Sequence, residues 1–237
     1  MFLSQVKVRV PTMSEATSTA RNLNRRRLLL ACAALVGAYA TVAWAAGETG
    51  DPAARQIRAF CDSLVAVMKQ ARELGVRGRY EKLATPIRET FDLPAMTRIA
   101  VGSDWGSIAS EQQTALIDSF TRMTIATYAS RFDGYSGERF DVEPVSEARA
   151  TGRIVRTKLL QSNGEAITLN YLMRDSGGNW KVVDVYLTGT ISELATRRSE
   201  FAALLKSGGP NTLIESLRQK TDKLMRAPAS DTESGHR

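Results

Sequence analysis

The residues that ordinarily carry catalysis are sparse in this chain. One histidine, His236, is present, and it is the penultimate of 237 residues. Ser-His-Asp or Cys-His nucleophilic chemistry and His-built metal sites each need an imidazole held by a packed scaffold, which a polar terminal tail does not provide. Two cysteines, Cys32 and Cys61, are too few for a zinc site or a disulfide framework. No glycine-rich phosphate loop, G-x-S-x-G elbow or clustered Cys/His set occurs. Carboxylates remain. Asp184, in a strand-like run, has the chemistry of a general base, but a strand aspartate satisfied by an arginine or by backbone amides fits the same pattern. These residues point away from an enzyme and require no metal or cofactor.

The charge balance first suggests an anionic partner: 32 Lys+Arg against 25 Asp+Glu give a formal +7. The position of the bases changes that reading. Arg25-Arg26-Arg27 runs into an apolar stretch from Leu28 to Val42, followed by Ala43-Trp44-Ala45. These are the basic, apolar and A-x-A parts of a secretory signal peptide. Residues 1–45 are therefore expected to be a signal peptide cleaved after Ala45, with translation beginning at Met13, because the residues before Arg21 match no part of such a segment. The competing reading is an uncleaved inner-membrane anchor, since Leu28 to Ala46 is about the length of a bilayer span; Gly37 and the many small residues weigh against it. Asn24 to Leu29 approximates a twin-arginine signal, so both general secretion and the twin-arginine route stay open. Removing residues 1–45 takes away six bases and one acid and leaves 26 against 24. The electrostatic ground for nucleic-acid binding then disappears. The expected compartment is the periplasm, where the single remaining thiol, Cys61, forms no intramolecular disulfide.

The elements that must position any site follow from periodicity. Ile57, Phe60, Cys61, Leu64, Val67, Met68, Ala71 and Leu74 recur at helical spacing and predict an amphipathic helix over 52–74, with Cys61 as a buried, inert thiol. Shorter helices are predicted over 80–89 and 93–101. Ser110 and Gln113 have the spacing of a capping box, which should open a long helix to about Arg131. The period then changes to two. Strands are predicted over 139–145, 153–161, 165–174 and 180–187, joined by short turns such as Ser162-Asn163-Gly164, which makes an antiparallel meander of about four strands. Ile167, Leu169, Tyr171 and Met173 share one face of it, and Val183, Val185 and Leu187 form an apolar row on the last strand. Two helices, 192–205 and 211–225, flank Gly208-Gly209. The fold class is α+β, a curved antiparallel sheet with helices packed around it over residues 46–226, followed by a flexible tail over 227–237. Arg153, Arg156 and Lys158 make a local basic row, and Trp105 and Trp180 read as core anchors. A gap between such a sheet and its helices would be an apolar pocket; a closed core gives the same periodicity.

The strand-to-helix junction is more specific. Trp180-Lys181-Val182-Val183-Asp184-Val185-Tyr186-Leu187-Thr188-Gly189, then Arg198-Ser199-Glu200-Phe201, Leu204-Leu205, Gly208-Gly209 and Leu213-Ile214, resembles the MlaC family of periplasmic lipid carriers, also called toluene-tolerance proteins. Phe91-Asp92-Leu93-Pro94-Ala95-Met96, Gly102-x-x-Trp105, Phe120-Thr121-Arg122 and Tyr128-Ala129-Ser130-Arg131-Phe132 extend the resemblance along nearly the whole chain after residue 45. The stretch from Gly189 to Phe201 carries one residue more than most members and is similar to the HpnM subgroup, which is associated with hopanoid biosynthesis.

The resemblance implies a non-enzymatic carrier whose sheet and helices enclose a lipid cavity. The cargo would be a hopanoid or a phospholipid, passed between an inner-membrane transporter of RND or MCE type and the outer membrane with only transient membrane contact. The expected lining is Val155, Leu159, Ile167, Leu169, Tyr171, Val183, Val185 and Leu187 from the sheet, with Ile99, Val101 and Tyr128 from helices. The alternative is a non-enzymatic adaptor subunit of a membrane lipid transporter, with a filled core.

Overall fold

Asp51 sets the start of the first helix. Its Oδ1 accepts from the N–H of Ala53 at 2.9 Å and of Ala54 at 3.4 Å, and Pro52 occupies the first turn, where a missing N–H costs nothing. The computed structural model describes residues 50–226; the expected signal peptide and terminal tail lie outside the described residues. Helix α1 spans Pro52–Lys69 and buries the apolar stripe read from its sequence, Cys61 included. It ends five residues earlier than predicted. Gln70 breaks the chain direction, and α2 (Ala71–Thr90) bends again at Gly75, whose φ of 58° is open to glycine at little cost. The buried Arg79 guanidinium locks this bend, donating to the carbonyls of Ala71 (2.8 Å) and Ala129 (2.7 Å).

Helix α3 (Leu93–Val101) is capped by Asp92, which accepts from the N–H of Ala95 at 2.9 Å. A 3-10 turn over Gly102–Ser107 leads to α4 (Ser110–Arg131). The expected capping box does not form. Ser110 already lies in the first turn, Ala109 holds the cap position, and Gln113 Nε2 instead donates to the carbonyls of Trp105 and Ile108, at 2.9 and 3.0 Å. Those two carbonyls end the 3-10 turn, so the amide stabilises the entry to α4 by tying down the turn before it.

The sheet is a meander with its first two strands each broken in two. β1 (Arg139–Val142) and β2 (Glu147–Arg149) pair antiparallel with β4 (Thr157–Leu160) and β3 (Gly152–Val155) respectively. β3 and β4 pair in turn with the two halves of β5 (Ala166–Ser176), and β5 pairs with β6 (Asn179–Leu187), which pairs with the two-residue β7 (Ile191–Ser192). The four strands expected are thus seven. At the break after Arg156 the Asn170 side chain supplies a missing ladder acceptor, taking the Thr157 N–H at 3.3 Å. A second irregularity lies between β5 and β6: Leu172 faces Asp184 but Met173 faces Val182, which leaves Val183 as an extra residue. Val182, fully buried, therefore joins Val185 and Leu187 in the main core, while Val183 is buried outside that cluster.

Helix α5 (Glu193–Arg226) is interrupted at Gly208 and Gly209, the latter at a φ of 70°, with Pro210 opening its second half. α4 and α5 pack on each other and α5 also meets α3 and β6, so the core lies between the sheet and the helices. The architecture is α+β. No helix among the described residues is long and apolar enough to cross a membrane.

Candidate functional site

Between β5–β6 and the helices α4 and α5 lies a cavity of about 70 Å³. The sheet contributes Leu169, Tyr171, Val185 and Leu187; the register pairs Leu169 with Leu187 and Tyr171 with Val185, so the four side chains form one patch on a single face. α4 contributes Phe120, Met123, Thr124, Thr127 and Tyr128, and α5 contributes Leu194. The two threonines add little polarity. Thr124 Oγ1 donates to the carbonyl of Phe120 at 2.8 Å and Thr127 Oγ1 to that of Met123 at 2.7 Å, which commits both hydroxyl protons to their own helix.

Aromatic rings build the deep wall. Phe60, Phe91, Tyr128 and Tyr171 meet edge to face with centroids 5.2 to 6.5 Å apart, and Tyr128 stacks on Phe132 at 5.7 Å. Burial pushes the Tyr128 and Tyr171 phenols well above their ordinary range. Burial likewise pushes the Cys61 thiol up, with Asp62 adding to it, so no thiolate forms beside these rings at neutral pH.

The rim is charged. Arg131 at the end of α4, and Glu193 and Arg197 in the first turns of α5, all border the cavity. Arg197 lies 3.9 Å from Glu193 and 3.1 Å from Glu200. Burial raises the Glu193 carboxyl above its ordinary range: Arg197 opposes the rise, Asp184 and Glu200 add to it. Burial lowers Arg131 and Lys220, and Lys220 is lowered further by Arg197 and Arg131.

Of the eleven residues expected to line a lipid site, the structure brings Tyr128, Leu169, Tyr171, Val185 and Leu187 to this cavity. Val101, Val155 and Leu159 lie in the closed core, Ile99 and Ile167 pack against its edge, and Val183 is set apart by the bulge. Trp105 and Trp180 also pack against the core and do not line the cavity. Sequence reasoning missed Phe120, Thr124, Thr127, Phe132 and the whole charged rim. The signal that could have found Glu193 and Arg197 is their place directly after the strand that carries Val185 and Leu187.

Asp184 is spoken for. Its Oδ1 accepts from the N–H of Val185 (2.8 Å) and of Leu194 (3.1 Å), and its Oδ2 from the Ser192 hydroxyl (2.5 Å), so it caps the start of α5. The two arginines of the basic row are paired as well. Arg153 donates to Ser146 at 2.6 Å and sits 3.4 Å from Asp51, and Arg156 pairs with Glu147 at 2.5 Å. Among the described residues no cluster of three His, Cys, Asp or Glu side chains is placed to hold a metal.

The family model described as "MlaC protein" matches residues 58–219, which include every wall of the cavity and its rim. The chain belongs to the MlaC family. Among solved structures, this MlaC chain is similar to a phospholipid-binding protein from Ralstonia solanacearum, itself determined in complex with a phospholipid. The two are 26% identical with a TM-score of 0.65, over 74% of this chain and 100% of the other. No curated protein matches this MlaC chain.

Proposed function

We propose that this protein is a periplasmic, non-enzymatic carrier that buries the apolar part of a membrane lipid, a hopanoid or a phospholipid, and moves it between the inner and outer membranes. The observation that carries the reading is an apolar cavity between sheet and helices, in a chain whose structural relative is a phospholipid-binding protein. The physical need is large: at about 0.8 kcal/mol per CH₂, a lipid exposing ~25 such groups to water faces on the order of 20 kcal/mol. A protein that takes up the tails removes that barrier. The donor in this reading is an inner-membrane transporter of RND or MCE type, and the HpnM-like spacing between Gly189 and Phe201 favours a hopanoid system.

One observation favours the adaptor reading instead. A cavity of about 70 Å³ is well below the roughly 300–1,000 Å³ of sites that enclose sizeable ligands. The carrier reading therefore requires the helices to part from the sheet on loading. Organic extraction of protein purified from its native host, read by mass spectrometry, tests both. Stoichiometric lipid supports the carrier. Lipid-free native protein that also takes up no labelled hopanoid or phospholipid leaves the adaptor.

A further inference from the structure

A cavity of about 70 Å³ must open to admit a lipid, and its α5 wall is lightly held to the core. Of residues 193–207, which carry Leu194 to the cavity, only Leu194 and Phe201 are buried, whereas the shorter run from Asn211 to Leu217 buries Leu213, Ile214 and Leu217. A segment with few buried apolar side chains opens locally at small free energy. Gly208 and Gly209 divide the two stretches, and the second is tied to α4, where Gln112 Nε2 donates to Asn211 Oδ1 at 3.0 Å. The other end of the first stretch holds strain. Leu187-Thr188-Gly189-Thr190 is the turn between β6 and β7, closed by the Thr190 N–H on the Leu187 carbonyl at 3.2 Å, with φ of 52° at Thr188 and 85° at Gly189. Positive φ at both central residues is the two-residue hairpin turn that Asn-Gly serves best. Thr188 is the only non-glycine residue with positive φ among the described residues, and its β-branched side chain suits that conformation poorly. Just beyond the turn, Asp184 Oδ2 holds the Ser192 hydroxyl at 2.5 Å and Oδ1 holds the Leu194 N–H at 3.1 Å.

We propose that residues 190–207 are the gate of the cavity: a strap that turns on Thr188-Gly189 at one end and Gly208-Gly209 at the other, with Asp184 as its catch, while the half of α5 after Pro210 stays on the core. This rests on the carrier reading. Lifting the strap frees Ser192 and Leu194 from Asp184, peels the two-residue β7 from β6 and lets Thr188 return to negative φ. The strain of the turn therefore favours opening, and the Asp184 hydrogen bonds favour closure. The same movement withdraws Leu194 from the cavity and parts Phe201 from Phe120. Because lipid enters only the open form, its apparent affinity scales with the fraction of protein that is open. Removing a residue that merely holds the fold does not tighten binding; removing part of a catch does.

The test follows uptake of a phospholipid with an NBD-labelled acyl chain by the purified protein, in stopped flow and at equilibrium, beside thermal melts. Ser192→Ala removes the hydroxyl that Asp184 holds and that caps the Ala195 N–H. It should lower Tm, yet speed uptake and tighten the apparent Kd about five- to tenfold, the scale of one charge-assisted hydrogen bond. Thr188→Asn places at the turn the residue that tolerates positive φ, so it should raise Tm while slowing uptake and weakening apparent binding several-fold. Gln219→Ala, at an exposed pair with Glu215 in the anchored half of α5, serves as the control and should change neither. Hydrogen exchange read by mass spectrometry on the lipid-free protein should be faster over 193–207 than over 211–217, and Ser192→Ala should speed the first without the second. Binding that rises and falls with stability in both variants, binding that neither variant moves, or equal protection of the two halves of α5 overturns the gate and leaves the carrier standing. Failure of the wild-type protein to take up the lipid removes the carrier reading and the gate together. If Ser192→Ala loses its fold by circular dichroism, Thr188→Asn carries the test.

Discussion

Replacing Val185 by Phe separates a cavity from a closed core with one side chain. Val185 sits on β6 opposite Tyr171 and borders the cavity. In a filled interior the larger ring forces its neighbours apart at a cost of about 1–3 kcal/mol. At roughly 2–4 °C per kcal/mol for a domain of this size, that is a fall in Tm of about 2–12 °C. Beside a void of about 70 Å³ the ring has somewhere to go, and the apolar area it buries offsets the strain, so stability should change by less than ~1 kcal/mol. Lipid binding should respond in the opposite sense. A phenyl group in the cavity displaces roughly three methylenes of a tail, about 2.5 kcal/mol at 0.8 kcal/mol each, hence a loss of affinity on the order of fifty- to a hundredfold. Val155→Phe is the comparison, because Val155 is fully buried on β3 and does not border the cavity. It should lose the full 1–3 kcal/mol of an overpacked site and weaken lipid binding less than Val185→Phe. Thermal melts and titration with a fluorescent lipid read both effects. Equal destabilisation by the two substitutions, with no selective loss of lipid at Val185, would refute the cavity and favour a filled core.

Asp184→Ala leaves the N–H groups of Val185 and Leu194 and the Ser192 hydroxyl without their acceptor, so it should cost about 2–4 kcal/mol and lower Tm by roughly 4–16 °C, with Asp184→Asn costing less because one oxygen remains. Mass spectrometry of lipid incubated with either protein should find it unchanged; a modified lipid product that vanishes in Asp184→Asn would mark an enzyme. Gly152→Ala should fail to give soluble protein or should lose about 3 kcal/mol or more in a denaturant melt, since at its φ of 150° an added Cβ meets the Met173 carbonyl oxygen at 2.1 Å and that carbonyl belongs to the β5 backbone. Glu193→Gln should gain stability that depends on pH. Burial raises this carboxyl in the folded state, against Arg197 and aided by Asp184 and Glu200, so the folded protein binds the proton more tightly than the unfolded chain does. Wild-type stability from this group is complete below the ordinary value of 4.5 and is lost as pH rises through the higher folded value. The variant's Tm advantage should accordingly appear at neutral pH and vanish below 4.5; an advantage independent of pH refutes the assignment.

Much of the scaffold was legible because its signals are local. The 3.6-residue stripe of α1, the Asp92-Leu93-Pro94 start of α3, and Gly208-Gly209 before Pro210 each state their own geometry. The sheet was legible as a meander, but its breaks were not. Arg156 looks like any outward residue of a strand, and nothing marks it as the break between β3 and β4 except Asn170 on the neighbouring strand, whose partner is known only once the two are aligned. The bulge at Val183 is hidden for a similar reason. Val182 and Val183 are identical residues, so alternation counted back from Leu187 selects Val183 for the inner row while the extra residue places Val182 there. The cavity residues suffer from a deeper ambiguity. Periodicity reports which face of an element is apolar, and Val155, Leu159 and Val185 all satisfy it; whether an apolar face meets another side chain or a void depends on the separation of α4 and α5 from the sheet, which no single element encodes.

That separation also bears on how a carrier releases what it binds. Among the described residues only Tyr135 and Val145 are large exposed hydrophobics, so the protein shows water almost none of the apolar surface that lines the cavity. The walls are held against one another instead. Phe120 of α4 meets Phe201 of α5 at 6.2 Å, Tyr128 stacks on Phe132, and Phe60 and Phe91 close on Tyr171. Opening the cavity must loosen some of these pairs, each worth about 0.5–1.5 kcal/mol beyond its buried area, and must part the surfaces around them. The cost comes out of the tail-burial free energy, on the order of 20 kcal/mol, so a carrier of this kind holds its lipid less tightly than a rigid, pre-opened pocket would. A bilayer offers the tails the same burial without that cost. In the proposed carrier, the contacts these walls regain as the lipid leaves therefore favour its delivery to a bilayer.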